Sequence, residues 1–264
     1  LIMDNSEQVG GKIENICLNM IALSNIILTD NTILDNLSSG PDDEFPGNDD
    51  EFHRDNFQMK DPSSYTNEHS STISKVENQI NYINKGIFFN NNVYITIIGA
   101  DGNLYYSSDN YEDGVILKYE QLSQFLGQDW FRTLKSGSIR AVWNSPYRYG
   151  IEGLNGDRYI SIIKSIRNKY SPENVAGILM INFSEKGLTD IIDHSDNGYF
   201  ALINEPGRII FSSEKSVEDK ILANEDILSK NLYYGKGSFV TPIDGEKYIV
   251  SFNSIERFGM CAIS

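Results

Sequence analysis

The fold is decided by Tyr94-Ile-Thr-Ile-Ile-Gly-Ala-Asp-Gly-Asn-Leu-Tyr-Tyr-Ser-Ser108, because the same pattern returns without a gap as Tyr199-Phe-Ala-Leu-Ile-Asn-Glu-Pro-Gly-Arg-Ile-Ile-Phe-Ser-Ser213. Both copies read as a strand, a glycine turn and a returning strand. Three further pairs follow in the same order: Gly137-Ser-Ile139 with Gly237-Ser-Phe239, Gly156-Asp-Arg-Tyr159 with Gly245-Glu-Lys-Tyr248, and 177–184 with 259–264. Matched segments in one order predict a duplicated module.

Each module is predicted to contain a hairpin, a helical connection and three more strands. This arrangement gives an antiparallel sheet of about five strands with flanking helices, and the fold class is α+β. The connection spans residues 119–135 in the first module and the shorter 217–232 in the second. We therefore expect the first module to have the room for a pocket.

A long helix is predicted before the modules, over residues 1–37, with an interruption near 29–32. Its apolar residues form a seam at heptad spacing, at Ile2, Val9, Ile13, Ile16, Met20, Leu23 and Ile27. The residues of Thr29-Asp-Asn-Thr32 favour a helix N-terminus, which predicts a break followed by a short second helix. The seam can pack on both modules as a spine, or pair with a second copy of the chain.

A polar, acidic insertion is predicted over residues 38–72. It contains a near repeat, Pro41-Asp-Asp-Glu-Phe45 and Asn48-Asp-Asp-Glu-Phe52. The segment is interpreted as a solvated loop rather than a calcium site, because the Asp-x-Asp-x-Asp-Gly spacing is missing. A helix from Thr72 to Lys85, with Gly86 after its end, is expected to follow.

Composition excludes several classes of function. The net charge of −15, with no basic cluster, argues against nucleic acid as a partner. Cys17 and Cys261 are too few for a disulfide scaffold or a cysteine metal site, and two buried free thiols are favoured over a bridge between them. No metal or other cofactor is predicted.

An enzyme is also not predicted. The three histidines are His53 and His69 in the insertion and His194 between the modules. Adjacent residues such as Asp193-His194-Ser195 do not make a catalytic triad, because neighbouring side chains on an extended segment point apart. No nucleophile elbow, phosphate-binding glycine loop or zinc helix motif occurs in the sequence.

Three local motifs stand in order along the first module: Gln128-Asp-Trp-Phe131, Val142-Trp-Asn-Ser-Pro-Tyr147 and Ala176-Gly-Ile-Leu-Met-Ile-Asn-Phe-Ser184. With the long first helix and the two unequal modules, the chain resembles the double Cache sensor domains of bacterial transmembrane receptors. The resemblance covers essentially the whole chain. It looks most like the sensor histidine kinases that work with AraC-type response regulators.

The resemblance implies two PAS-like modules, a membrane-distal one over 73–197 that holds the ligand and a membrane-proximal one over 198–264. It places the domain on the extracellular side of the cytoplasmic membrane, tethered by spans outside this sequence, with the kinase also outside it. A chemoreceptor or a cyclic-nucleotide enzyme is the alternative output. A dimerisation scaffold that binds no ligand is a further alternative.

The amino-acid-binding subgroup of that family has an arginine, a tyrosine and an aspartate where this chain has Gln128, Phe131 and Asn182. The groups that would hold an α-carboxylate and an α-ammonium are therefore missing. An ordinary amino acid is a poor expectation for the ligand.

The candidate ligand-binding residues combine aromatic rings with directional polar groups, which suits a sugar or another small polar molecule. They are Trp130, Arg140, Trp143, Tyr147 and Asn182, with Gln128 and Asp129 at the rim. Trp130 is equally well interpreted as core packing, and Arg140 as one half of a surface ion pair. Asn182 lies in an apolar strand, so a ligand or a neighbouring backbone group must satisfy its amide.

Overall fold

The structure, a computed structural model, describes the following residues: 2–38, 67–87, 92–100, 103–107, 134, 141–144, 159–192, 199–204, 208–224, 227 and 235–264. Its helices are α1 (Ile2–Ile27), α2 (Asn31–Leu37), α3 (Asn67–Ile87), α4 (Glu185–Ile192) and α5 (Lys215–Leu222). Its first five strands are β1 (Val93–Gly99), β2 (Leu104–Tyr106), β3 (Val142–Asn144), β4 (Tyr159–Arg167) and β5 (Val175–Ser184). The other five are β6 (Ala201–Asn204), β7 (Arg208–Ser212), β8 (Lys236–Ile243), β9 (Glu246–Ile255) and β10 (Met260–Ile263).

The strands form two antiparallel sheets of the same topology. The strand orders are β2-β1-β5-β4-β3 and β7-β6-β10-β9-β8. In both sheets the closing strand of the module inserts beside the first strand of the opening hairpin. The predicted α+β class and the predicted pair of five-stranded sheets are confirmed.

The chain divides into two compact units. The β1–β5 unit is Asn19–Ser184, and the β6–β10 unit is Leu1–Leu18 with Glu185–Ser264. Helix α1 contributes residues to both. The module boundaries predicted at 73–197 and 198–264 follow the sequence repeat instead, and they stay predictions.

Most of the apolar seam of α1 is buried within the chain, whereas Ile16 is half-buried. Val9, Ile13, Met20, Leu23 and Ile27 each expose 1% or less of their surface. The predicted break is confirmed: α1 ends at Ile27, and the Asp30 carboxylate accepts a hydrogen bond of 3.0 Å from the Ile33 N–H at the start of α2. Among the described residues no single helix is long and apolar enough to span a membrane, and α1 and α2 meet that test only together, bent by 62°.

Helix α3 is longer than predicted. Its buried face is the expected one, with Val76, Ile80 and Ile83, but the helix begins at Asn67, inside the stretch predicted as insertion, and it includes Gly86. The early turns were missed because they have no apolar periodicity, and glycine is tolerated in an exposed last turn. The acidic repeat and the calcium alternative lie outside the described residues.

The β8–β9 hairpin has the predicted turn. Asp244 and Gly245 have φ angles of 53° and 85°, which is the left-handed pair that a two-residue hairpin turn requires. The corresponding Asn155-Gly156 turn lies outside the described residues. The helical connection predicted over 119–135 also lies outside them, apart from Leu134. Helix α5 accounts for the first part of the connection predicted over 217–232.

Both cysteines are free and buried, as favoured from the sequence. Ala262 of β10 lies under Gly10 of α1, 3.6 Å from where a Cβ on that glycine would stand. Because side chains alternate along a strand, Cys261 points to the opposite side of the sheet, away from the helix that carries Cys17. The sheet therefore separates the two thiols.

Candidate functional site

The β1–β5 sheet has two faces of different chemistry, and the strand register assigns each residue to one of them. One face carries Ile95, Ile97, Ile162, Leu179 and Ile181 in alternating positions. Lys164 is on this face, and its Nζ donates a hydrogen bond of 3.0 Å to Asn25 Oδ1 of α1. We call this the helix face, because it lies against α1.

The opposite face, which we call the polar face, carries a row of polar residues across the middle of the sheet. Ser161 of β4 is opposite Asn182 of β5, and Asn182 is opposite Tyr94 of β1. Antiparallel pairing brings these side chains together, although they are far apart in sequence.

Asn182 is the centre of this row. Its side chain is 0% exposed; Oδ1 accepts a hydrogen bond of 2.6 Å from the Ser161 hydroxyl, and Nδ2 donates one of 3.3 Å to the Tyr94 carbonyl. The sequence left two kinds of partner for this amide, a ligand or a neighbouring backbone group. In the structure, neighbouring protein groups satisfy the oxygen and one amide hydrogen of Asn182.

Tyr94 of β1 and Tyr159 of β4 flank β5 on the polar face. The rings of Tyr94 and Tyr159 meet edge to face, with centroids 5.5 Å apart and an interplanar angle of 85°. Thr96 and Ser184 lie on the same face and expose 1% and 5% of their surface. The polar face therefore offers aromatic rings, hydroxyls and an amide in a buried setting.

The described residues of the polar face are also uncharged. Among the described residues of β1 to β5, the charged ones are Lys164 and Arg167. Lys164 is on the helix face, where burial lowers the pKa of its ammonium. Arg167 follows a bulge and donates to the Glu173 carbonyl in the β4–β5 turn. Within the described ranges no three His, Cys, Asp or Glu side chains lie close enough to hold a metal ion.

The structure separates two of the residues predicted from the sequence to share a site. Trp143 of β3 is half-buried and opposite Ile162, so it is on the helix face, whereas Asn182 is on the polar face. The sheet thus does not bring Trp143 and Asn182 together. The remaining predicted residues, Gln128, Asp129, Trp130, Arg140 and Tyr147, lie outside the described residues.

Several polar-face residues were missed in the sequence: Tyr94, Thr96, Tyr159, Ser161 and Ser184. A signal was present, because single polar residues interrupt runs of isoleucine. Thr96 stands between Ile95 and Ile97, and Ser161 between Ile160 and Ile162. A polar residue at every second position of a buried strand indicates one face with a different chemistry.

Comparison with known proteins identifies the family. The family model described as Cache domain, of the dCache_1 type, matches residues 1–263. The chain belongs to the Cache domain family. The double Cache resemblance inferred from the sequence is confirmed, whereas the AraC-type partner stays a prediction.

Solved structures share the fold of this Cache domain. The ligand-binding domain of the Campylobacter jejuni chemoreceptor Tlp3, in complex with 4-methylisoleucine, is 13% identical and superimposes with a TM-score of 0.60, covering 99% of this chain and 87% of that chain. The ligand-binding domain of the Pseudomonas aeruginosa PAO1 amino acid chemoreceptor PctC, in complex with GABA, is 13% identical with a TM-score of 0.58, covering 99% of this chain and 96% of that chain. The sensor domain of the V. cholerae histidine kinase DctB is 12% identical with a TM-score of 0.55, covering 99% of this chain and 94% of that chain. No curated protein matches the chain by sequence.

Proposed function

We propose that this Cache domain is the extracellular sensor of a bacterial membrane receptor and binds a small polar molecule on the polar face of the β1–β5 sheet. The observation that carries the proposal is the set of buried polar side chains Thr96, Ser161 and Asn182 on one face of a sheet that is rich in isoleucine. Burying polar groups is costly unless they gain partners. A ligand-binding role explains why a sheet core would keep them. The domain itself is a binding module, not a catalyst.

The ligand is proposed to be a sugar or another small polar metabolite. The chemoreceptor domains Tlp3 and PctC were solved with amino acids or an amino acid relative, 4-methylisoleucine and GABA. This chain has an amide at Asn182, and its described polar face has no carboxylate that would hold an ammonium group. The difference favours a ligand of other chemistry.

Signalling is proposed to run through α1 as a population shift between two arrangements. The helix is attached to each sheet by a polar contact. Lys164 of β4 bonds Asn25 at 3.0 Å, and Lys236 of β8 forms an ion pair of 2.8 Å with Glu7. Ligand binding that moves the first contact would shift a helix that also enters the β6–β10 unit. Spin labels at Gln8 and Glu173, one in each unit, test this: an unchanged distance distribution with and without ligand contradicts the mechanism.

The output module is proposed to be a histidine kinase, with a chemoreceptor as the alternative, because solved structures of this fold include both kinds of receptor. Autophosphorylation of the full-length protein with labelled ATP, measured with and without ligand, distinguishes them. A kinase gives a ligand-dependent phosphohistidine, and a chemoreceptor gives none on its own.

A ligand-free scaffold that pairs through the heptad seam is disfavoured, because Val9, Ile13, Met20, Leu23 and Ile27 are buried within one copy. A seam that is largely buried offers little apolar surface to a second chain. Homodimerisation through α1 was a possibility from the sequence alone, and sedimentation equilibrium of the domain tests it.

A thermal-melt screen of the domain tests ligand binding. Sugars, oligosaccharides, organic acids, amino acids and short peptides are tested. A ligand at about 100 times its dissociation constant should stabilise the fold by about 2.7 kcal/mol and raise the melting temperature by a few degrees. The screen is repeated with Thr96→Val, which removes one hydroxyl from the polar face, and with the control Ile95→Val on the helix face. The proposal expects the shift to weaken in Thr96→Val alone, and no shift with any class contradicts it.

Trp143→Ala is a separate arm of the same screen. Trp143 was predicted from the sequence to contact the ligand, but it is on the helix face, opposite Ile162. A ligand on the polar face should keep its thermal shift in Trp143→Ala. A shift lost in this variant, but kept in Thr96→Val, would place the ligand elsewhere.

A further inference from the structure

We infer that the polar face selects an uncharged, hydroxylated ligand over a zwitterionic or anionic one, and that Asn182 is the residue that sets this preference. The inference rests on the proposed function, since it concerns the ligand of the same site. It is more specific than that proposal, because it disfavours every charged ligand and assigns the selection to Asn182.

The first step is the absence of charge. The described polar-face residues are aliphatic, aromatic, hydroxyl or amide side chains, among them Tyr94, Thr96, Tyr159, Ser161, Asn182 and Ser184. No Asp, Glu, Lys, Arg or His is among them. The lysine of this sheet, Lys164, is on the helix face, with Asn25 as its partner. A charged ligand group on the polar face therefore has no oppositely charged partner among the described side chains of that face.

The second step is the cost of such a charge. Asn182, Ser161 and Thr96 are 0–1% exposed, so water does not solvate what lies against them in the way it solvates a surface group. An ion moved from water to a buried site without a counter-charge loses far more solvation than a hydroxyl does. A zwitterion carries two such groups, whereas a sugar or polyol carries none.

The third step is hydrogen-bond capacity. The Ser161 hydroxyl and the Tyr94 carbonyl use the oxygen and one amide hydrogen of Asn182. Among the described residues, the second amide hydrogen and the lone pairs of Ser161 Oγ have no assigned partner. A single ligand hydroxyl complements both, because it accepts from the amide and donates to the serine oxygen. The Tyr94 and Tyr159 rings supply an apolar surface for the C–H groups of the same ligand.

The test compares matched probes on the wild-type domain by thermal melt and calorimetry. The neutral probes are D-glucose, maltose and mannitol; the zwitterions are L-alanine, L-isoleucine and γ-aminobutyrate; the anions are succinate and malate. We expect a shift with the neutral class only, sensitive to Thr96→Val. The dissociation constant should stay within about twofold from about pH 5.5 to 8.5, because the described face has no Asp, Glu, His, Lys, Arg or Cys side chain.

The specificity variant is Asn182→Asp, which keeps the shape and adds a negative charge. It should weaken the neutral ligand by about tenfold or more, since an uncompensated carboxylate then faces it. Ile181→Val, on the helix face of the same strand, β5, is the matched control and should bind as the wild type does. The pH series on the wild-type protein keeps the inference testable even where Asn182→Asp does not fold.

The outcomes separate this inference from the proposed function. A zwitterion or anion that gives a shift sensitive to Thr96→Val overturns the inference and leaves the sensor proposal standing. Asn182→Asp that folds and binds the neutral ligand within about twofold of the wild type overturns the role of Asn182. No shift with any probe overturns both.

Discussion

Gly10 of α1 lies so close to Asn253 of β9 that a Cβ at position 10 would stand 2.5 Å from the Asn253 Nδ2 atom. A Cβ at the next residue, Gly11, would meet no atom within 4 Å. The two adjacent glycines of α1 therefore differ in how much space a side chain would have. Only Gly10 is required by the packing of the helix on the β6–β10 sheet.

Alanine at these two positions should have opposite consequences. Gly11→Ala should raise the free energy of unfolding by about 1 kcal/mol, because alanine is the better helix former. Gly10→Ala gains the same propensity but must displace the Asn253 amide, and it should be less stable than Gly11→Ala by about 1–2 kcal/mol. Urea denaturation measures both variants. In an Asn253→Ala background the difference should shrink, and equal stabilisation by both alanines would contradict the close contact.

Ser161→Ala tests the hydrogen bond at the centre of the polar face. Removing the hydroxyl leaves Asn182 Oδ1 buried without the donor that lies at 2.6 Å. An unsatisfied buried acceptor should lower the free energy of unfolding by about 1–3 kcal/mol. Ser165→Ala, four residues along the same strand and half-buried, is the control and should change stability by less than about 0.5 kcal/mol. Equal costs for both variants would show that the bond to Asn182 contributes nothing specific.

The fold could be predicted from the sequence because its signals are local. The Tyr94–Ser108 pattern and its copy at Tyr199–Ser213 contain a strand, a turn and a second strand within one short stretch. The break after α1 depends on Asp30, a single capping residue next to its target. Strand period, turn glycines and caps act over a few residues, so the sequence alone reveals them.

The site could be predicted only in part, because it depends on pairing between distant strands. Which face a side chain occupies is set by strand register, and a shift by one residue reverses it. From the sequence, Trp143 and Asn182 were grouped by chemistry. The pairing of Trp143 with Ile162, and of Ile162 with Ile181, separates them. Ser161 was overlooked because an isolated serine carries no functional signal until Asn182 is placed opposite it.

Native-state thiol labelling tests the burial of the two cysteines. Burial raises the pKa of both Cys17 and Cys261 to about 12, and the nearby Glu14 carboxylate adds to the effect at Cys17. At pH 8 only about one molecule in 10⁴ then carries a given thiolate. We expect no reaction of the folded domain with a thiol-specific reagent at pH 8 and complete reaction of both thiols in denaturant. Rapid labelling of the folded domain, or an intact mass showing a disulfide, would contradict the assignment.

The same two thiols should make the domain less stable in alkaline solution. Their pKa values are raised from 9.0 in the unfolded chain to about 12 in the folded one, so the unfolded state loses its protons first as the pH rises. Their contribution to stability is fully present below pH 9 and is lost between pH 9 and 12, by about 1.4 kcal/mol per thiol for each pH unit. The measurement is the free energy of unfolding from pH 8 to 10.5, compared with that of a Cys17→Ala/Cys261→Ala variant. The variant starts from a lower free energy of unfolding because the substitutions leave cavities. Its free energy of unfolding should fall less steeply with pH, because tyrosines and lysines titrate in both proteins but the two thiols only in the wild type. Parallel curves would show that the thiols ionise equally well in both states, and hence that solvent reaches them in the folded domain.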